Sequence, residues 1–210
     1  MPSVNRQQNR NSLIVLAVLG VWLIALLAAS IWFQQQYVQP FAQDVRFIQP
    51  DQTQHWFNDF KSAHPELSHL AGESLVIQFW QPECLCNQFA RPHAVSAQTL
   101  STQLGVRHIT LIPSRFADQV AQLQALNPDT EVIALSANAA YFAQHPMPKS
   151  PSLILQTANG DIHYFGPLGF GAFCSQNNTQ LLDRQLQTLS NPNAQPFFNT
   201  LGQGCFCPWQ

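Results

Sequence analysis

The sequence predicts an α/β protein, a three-layer sandwich with a mixed sheet, preceded by one transmembrane helix. An apolar run without any charged residue occupies positions 13–33. Beyond it, short β-branched and aromatic runs alternate with helical segments, which predicts parallel strands covered by helices on both faces. Asn159-Gly160 separates two apolar runs and indicates a two-residue hairpin, which adds an antiparallel edge to the sheet.

The N-terminal apolar run is long enough to cross a membrane, which takes about 20 residues in a helix. Arg6 and Arg10 precede it, and no acidic residue occurs before Asp44. The positive-inside rule therefore places the N-terminus in the cytoplasm and the rest of the chain outside. A cleaved signal peptide with a small-residue site at 28–30 is the alternative, although the run is longer than a typical signal.

The chain of 210 residues has a net charge of -2, so no basic surface for nucleic acid is expected. We expect one globular domain with appendages. The predicted organisation is a cytoplasmic tail at 1–12, a transmembrane anchor at 13–33, a polar tether at 34–43, a globular domain at 44–190 and a C-terminal tail at 191–210.

Prolines and glycines divide the globular part into alternating elements, because proline ends strands and glycine caps helices. The predicted strands are 44–48, 75–80, 106–112, 131–135, 152–156 and 161–165. The predicted helices are 52–63, 87–104, 114–126, 137–144 and 178–189.

Two cysteines, Cys84 and Cys86, follow the central strand and precede a helix. A helix N-terminus carries partial positive charge and free N–H groups, which stabilise a thiolate. This junction is therefore the predicted centre of the protein's chemistry.

The stretch Phe79-Trp80-x-x-x-Cys84 resembles the active-site entry of thioredoxin-like proteins, in their membrane-anchored extracytoplasmic branch. Pro151 matches the cis-proline that opens the first hairpin strand in that family. The family pattern continues as Cys-x-x-Cys, whereas here the second cysteine is Cys86 and Asn87 stands at the usual position. The resemblance implies that Cys84 is the nucleophile and that Trp80 and Pro151 shape the substrate groove.

The partner of Cys84 stays open at this point. A Cys84–Cys86 bridge would close a small ring, and strained, exposed disulfides are oxidising and labile. A structural bridge from either cysteine to Cys174 or to the tail is the alternative. Cys174 follows a glycine-rich loop that the resemblance places near the nucleophile, so it is either a resolving thiol or a buried free cysteine.

The tail carries a second Cys-x-Cys, formed by Cys205 and Cys207. A disulfide that pins the C-terminus is the favoured interpretation, because exported proteins commonly secure their termini in this way. The alternatives are a mobile tail that shuttles electrons to Cys84, or thiols that complete a four-sulfur site with Cys84 and Cys86.

The leading hypothesis is a thiol–disulfide oxidoreductase of a bacterial inner membrane, acting in the periplasm on exported proteins without a cofactor. The alternative is a copper or zinc carrier that uses Cys84 and Cys86 with His93, Cys205 and Cys207, since thiolate and imidazole suit these metals. His93 alone reads as a solvated helix residue. A third possibility is a scaffold without chemistry.

Overall fold

The computed structural model describes residues 3–136, 139–171, 177–189, 191 and 193–209. The chain divides into an N-terminal unit that ends at Gln36 and a compact unit that begins at Tyr37. Helix α1 spans Ser3–Tyr37. Its segment Asn11–Gln35 is long and apolar enough to cross a membrane, with a mean hydropathy of 2.8.

The compact unit contains five further α-helices and eight strands among the residues that the structure describes. The helices are α2 Pro50–Ala63, α3 Asn87–Leu104, α4 Val120–Leu126, α5 Ala139–Gln144 and α6 Asn177–Thr188. The strands are β1 Val38–Pro40, β2 Leu75–Phe79, β3 Arg107–Ile112, β4 Glu131–Ala134, β5 Ser152–Gln156, β6 Ile162–Pro167, β7 Phe197–Phe198 and β8 Gln203–Cys205.

Six strands form one mixed sheet in the order β4-β3-β2-β5-β6-β7. Strands β2, β3 and β4 are parallel neighbours, whereas β5 runs antiparallel to both β2 and β6. Strands β1 and β8 pair antiparallel as a separate small sheet. Parallel strands joined by helices, followed by an antiparallel hairpin and a last helix, form the thioredoxin-like arrangement, so the fold prediction is confirmed.

Strand β2 separates the two faces of the sandwich. Leu75, Ile77 and Phe79 join the core beneath α2, whereas Val76 joins the core formed with α3 and α6. This alternation is what a strand covered on both faces requires. Helix α2 contributes three aromatic side chains that are at most 2% exposed, Trp56, Phe57 and Phe60.

The predicted first strand at 44–48 is wrong. The structure has a short 3-10 helix there, Val45–Phe47. The Asp44 carboxylate accepts hydrogen bonds from the Arg46 backbone N–H and guanidinium, each at 2.9 Å, and the side-chain bond lowers the pKa of Asp44. This local cap, together with Phe47 packed against Trp56, outcompetes an extended conformation.

The predicted helix at 114–126 is divided in the structure. A 3-10 segment, Ser114–Gln119, precedes α4, and Phe116 is its buried residue. Leu126, which the pattern of apolar residues in this helix predicts to be buried, is instead 68% exposed at the end of α4. The weak helix predicted at 137–144 begins at Ala139, and positions 137–138 lie outside the described residues.

The segments predicted as tether and tail both contribute to the compact unit. Val38 pairs with Cys205 and Pro40 with Gln203. Phe41 is 2% exposed within the main core. Strand β7, from the tail, extends the main sheet beside β6. The first and last strands of the compact unit, β1 and β8, therefore pair with each other.

Candidate functional site

The candidate site lies where β2 gives way to α3. The Trp80 backbone N–H donates to the Leu111 carbonyl at 2.9 Å, which continues the sheet past the end of β2. A tight loop follows, in which the Cys84 N–H donates to the Gln81 carbonyl at 3.0 Å. The side-chain Nδ2 of Asn87 donates to the same Gln81 carbonyl at 2.8 Å. Cys86 is the N-cap of α3, so both cysteines lie at the positive end of an 18-residue helix without an acidic residue in its first turn.

A second loop reaches the same place from β5. The peptide bond between Ser150 and Pro151 is cis and immediately precedes β5. Antiparallel pairing of Phe79 with Ser152 brings this loop to the end of β2. The Ser150 hydroxyl accepts from the Gln81 N–H at 2.8 Å, and the Cys84 Sγ lies 3.7 Å from the Ser150 carbonyl oxygen. The structure thus brings Cys84 beside the loop of Pro151.

The two Cys-x-Cys motifs are joined by two disulfides, Cys84–Cys207 and Cys86–Cys205. The Cys84–Cys86 bridge considered from the sequence is therefore absent, and each of these cysteines has a partner in the tail. Local spacing suggested the short ring, but backbone pairing of the tail presents a better-placed sulfur to each thiol. Cys174, the other predicted partner, lies outside the described residues.

The tail is held in place by backbone hydrogen bonds as well as by sulfur. Ser150 and Cys207 exchange a pair of them, with N–O distances of 3.0 and 2.8 Å. The Gly171 N–H donates to the Gln203 carbonyl at 2.8 Å, and the Cys205 N–H donates to the Gly171 carbonyl at 3.2 Å. These bonds lie in addition to the pairing of β8 with β1. The tail is therefore an inserted strand rather than a mobile arm.

Aromatic side chains anchor the same segment. The Phe206 ring packs edge-on against Phe41, with a centroid distance of 5.4 Å, and contacts Phe170. Trp209 packs edge-on against Phe79 at 5.5 Å. Phe206 and Trp209 are 2% and 4% exposed, so the tail buries apolar area that contributes to folding.

The four sulfur-bearing side chains differ in exposure. Cys86 and Cys205 are completely buried and Cys84 is 5% exposed, whereas Cys207 is half-buried. The Sγ atoms of Cys84, Cys86 and Cys207 all lie within 4.8 Å of one another. The Sγ atoms of Cys207 and Cys86 belong to different disulfides and are 3.9 Å apart. Cys207 is therefore the most exposed of the four cysteine residues.

His93 is not part of the sulfur cluster that the described residues form. It is 2% exposed on α3, so the expectation of a solvated helix residue is wrong. Positions 90, 93, 97 and 101 form one buried stripe of the helix, at helical spacing. Trp80 is half-buried beside the same helix, and Pro151 is buried.

Sequence reasoning missed several polar groups of the site. The side-chain oxygens of Gln81 and Asn87, Oε1 and Oδ1, are buried without a hydrogen-bond partner in the described part of the chain. Lys149 lies next to Ser150 and donates to the Gln39 side chain and the Pro40 carbonyl, at 2.9 and 2.8 Å. Burial lowers the pKa of Lys149 to about 8. The spacing of Gln81, Asn87 and Lys149 in the sequence forms no recognisable motif. The repeated Cys-x-Cys, in contrast, was a signal that the tail is bonded to the segment of Cys84 and Cys86.

Comparison with solved structures gives similar proteins at low sequence identity. A secreted Mycobacterium tuberculosis disulfide oxidoreductase homologous to E. coli DsbE is 16% identical, covers 58% of this chain and 86% of its own, and has a TM-score of 0.43. A thiol:disulfide interchange protein of the thioredoxin family from Chlorobium tepidum is 14% identical, with coverages of 59% and 83% and a TM-score of 0.43. An uncharacterized thioredoxin-like protein from Porphyromonas gingivalis is 19% identical, with coverages of 59% and 80% and a TM-score of 0.42.

No curated protein matches the chain in sequence. A family model described as a domain of unknown function, DUF6436, matches residues 53–209. The matched region contains both Cys-x-Cys motifs, the cis-proline loop and every strand of the main sheet. The chain therefore belongs to the DUF6436 family, with a thioredoxin-like fold.

Proposed function

We propose that the protein is a membrane-anchored thiol–disulfide oxidoreductase that acts on exported proteins, with Cys84 and Cys207 as its redox pair. The observation that carries this proposal is the Cys84–Cys207 disulfide itself. It joins Cys84, at the N-terminus of α3, to Cys207, which is a half-buried residue. It replaces the Cys-x-x-Cys pair that the sequence lacks.

Cys84 is the attacking thiolate in this scheme. The positive end of α3 stabilises its charge, both when it attacks and when it leaves. In the reduced protein it attacks one sulfur of a substrate disulfide, forms a mixed disulfide and releases the other substrate sulfur as a thiolate. The Cys207 thiolate then attacks the Cys84 sulfur, which restores Cys84–Cys207 and releases the second substrate thiolate. Two electrons pass from the pair to the substrate, and the reverse sequence oxidises a substrate dithiol.

Cys207 suits the resolving role because its position does not depend on sulfur bonding alone. Its two backbone hydrogen bonds to Ser150 also hold it beside Cys84. The completely buried Cys86–Cys205 bridge supports the same segment from within the core. The difference in exposure supports exchange at the Cys84–Cys207 disulfide and anchorage by the Cys86–Cys205 disulfide.

The location is part of the proposal. Helix α1 is apolar enough to span a membrane, and two arginines precede its apolar stretch. This arrangement favours a single-pass anchor in a bacterial inner membrane with the compact unit in the periplasm. Disulfides persist in that compartment, and exported proteins with thiols or disulfides are the substrates available there.

The test follows formation of a mixed disulfide between the full chain, in detergent micelles, and a disulfide-bonded peptide. Cys207→Ser is expected to accumulate the mixed disulfide on Cys84, because the resolving thiol is gone. Cys174→Ser, which removes the competing candidate, is expected to turn over. If Cys174→Ser accumulates the mixed disulfide and Cys207→Ser completes the exchange, the resolving role belongs to Cys174 instead. Undiminished exchange by Cys84→Ser would refute the mechanism.

A further inference from the structure

We infer that, once both disulfides are reduced, the four cysteines bind one thiophilic d¹⁰ cation, Zn(II) or Cu(I), through Cys84, Cys86, Cys205 and Cys207. This site goes beyond the proposed exchange reaction, because it needs all four sulfurs as thiolates at once. It also replaces the ligand set with His93 considered from the sequence, since that ring lies outside the sulfur cluster.

The sulfur positions support this inference. Zinc–sulfur bonds of about 2.3 Å in a tetrahedron place neighbouring sulfurs about 3.8 Å apart. The Sγ atoms of Cys86 and Cys207, which are not bonded to each other, are already 3.9 Å apart. Cys84 Sγ lies within 4.8 Å of both, and Cys205 Sγ is bonded to Cys86. Cys205 Sγ lies outside this group of three sulfurs, so the four-sulfur site needs the bonded pairs to separate and Cys205 Sγ to move closer to Cys84 and Cys207 after reduction.

The backbone holds these sulfurs together without help from the disulfides. Cys86 caps α3, and its carbonyl accepts from the Phe89 and Ala90 N–H groups, both at 3.1 Å. On the tail side, Cys205 is paired in β8 and Cys207 is paired with Ser150. The Phe206 ring between them is buried in the core. Both Cys-x-Cys motifs are therefore presented in fixed positions, so ordering the ligands costs little conformational entropy.

The charge balance is also favourable. Four thiolates and Zn(II) carry a formal charge of -2, which needs compensation in a buried site. The N-terminus of α3 supplies positive potential, and its first turn contains no acidic residue. Thiolate sulfurs select Zn(II) and Cu(I) over hard cations such as Mg(II).

Binding of this kind depends on the redox state. Reduction of two disulfides takes four electrons and four protons, which two equivalents of a dithiol such as dithiothreitol supply while forming their own cyclic disulfides. A tetrathiolate Zn(II) site then releases the four protons to solvent. The oxidised chain has no thiolate to offer at these positions, so it serves as the matched control.

The experiment uses the full chain in detergent micelles, reduced with dithiothreitol and freed of it without oxygen. One arm titrates Zn(II) against a chromophoric chelator, with Co(II) as the spectroscopic probe of tetrahedral sulfur. The other arm titrates Cu(I) against a Cu(I) chelator. We expect one Zn(II) or Cu(I) per reduced chain, thiolate-to-Co(II) charge-transfer bands, and no binding by the oxidised chain.

Variants then identify the ligands. Cys205→Ser is expected to weaken affinity by at least about tenfold, because loss of an outer-shell partner alone costs about 10- to 100-fold and this variant removes a ligand, whereas Cys174→Ser should leave the stoichiometry at one. Circular dichroism of each metal-free variant checks folding. A reduced, folded and unmutated chain without measurable affinity for either metal would overturn the inference. Equal affinity in Cys205→Ser would overturn the four-sulfur set. Neither result affects the outcome of the peptide exchange assay, so the metal site can be refuted without refuting the proposed function.

Discussion

The two disulfides join the same two segments of chain but occupy different environments. Cys86–Cys205 is completely buried, whereas Cys84–Cys207 includes a half-buried residue, Cys207, beside the cis-proline loop. Their sequence separations are nearly equal, 119 and 123 residues. Two residues along a Cys-x-Cys motif are therefore enough to place one disulfide inside the core and the other at a more exposed position. The difference comes from packing, since the motifs themselves are alike.

The largest expected effect concerns reactivity. Cys84→Ser should abolish exchange with a disulfide-bonded peptide, whereas Cys86→Ser should retain it, because only the former removes the sulfur that the outer disulfide uses. Stopped-flow or gel-shift measurement of the mixed disulfide checks this expectation. Equal loss in both variants would show that the two disulfides work as one unit.

The second prediction concerns stability: losing either disulfide should lower the free energy of unfolding by the same amount. Once one disulfide closes the loop of roughly 120 residues, the other closes only a very small ring. Chain-entropy arithmetic then gives a cost of about 2 kcal/mol for losing either bridge and about 7 kcal/mol for losing both. Paired Cys→Ala variants, denatured as full chains in micelles, measure these costs. Additive costs for the two bridges would contradict the shared-loop explanation.

The third prediction concerns the sheet beneath the site, and it is a dependence of stability on pH. His108 on β3 is buried against Gln78 and Ser101, and desolvation lowers its pKa to about 4. The unfolded chain, with an ordinary pKa near 6.5, binds more protons between these values, so stability falls as pH drops from about 6.5 to about 4. The full loss is about 3 kcal/mol.

Denaturant unfolding at pH 7 and at pH 4 measures this dependence. His108→Gln should reduce the change in the free energy of unfolding between pH 7 and pH 4. His55→Gln, which removes an exposed imidazole, should leave that change as it is. The explanation fails if both variants keep the slope of the unmutated chain.

The smallest effect tests the anchoring of the tail. A Cβ at Gly204 would lie 2.7 Å from the Phe206 ring and 3.3 Å from the Gly171 nitrogen. Gly204→Ala should destabilise the tail by about 1–3 kcal/mol through overpacking. Hydrogen exchange at the Cys205 and Cys207 amides would report it. The neighbouring Leu201→Ala, at a side chain that is 80% exposed, is the matched control and should leave this exchange rate unchanged.

The succession of strands and helices along the chain from β2 to α6 was predictable because local patterns encode it. Strand β5 has the predicted bounds, and α3 agrees with its prediction at both ends, with Gly105 in the left-handed conformation as its C-cap. The 3-10 turn at Val45–Phe47 was missed because a side-chain cap decides it. The burial of His93 was readable from the small residues at 90, 97 and 101.

The repeated Cys-x-Cys favoured a disulfide to the tail, but the individual sulfur pairs were not predictable, because no local pattern relates residues some 120 positions apart. Five cysteines permit many pairings, and only the folded tail selects among them. The polar groups at Gln81 and Asn87 were hidden for the same reason: their burial depends on the loop that closes over them.

The long separation between bonded cysteines also has a consequence for biogenesis. Cys84 and Cys86 leave the ribosome about 120 residues before Cys205 and Cys207. At 5–20 residues per second, this delay is roughly 6 to 24 seconds. In the proposed extracytoplasmic location, two closely spaced thiols would therefore enter an oxidising compartment before either partner exists. Any bond formed in that interval would have to be exchanged for the final pairs, so maturation of the protein would itself require disulfide isomerisation.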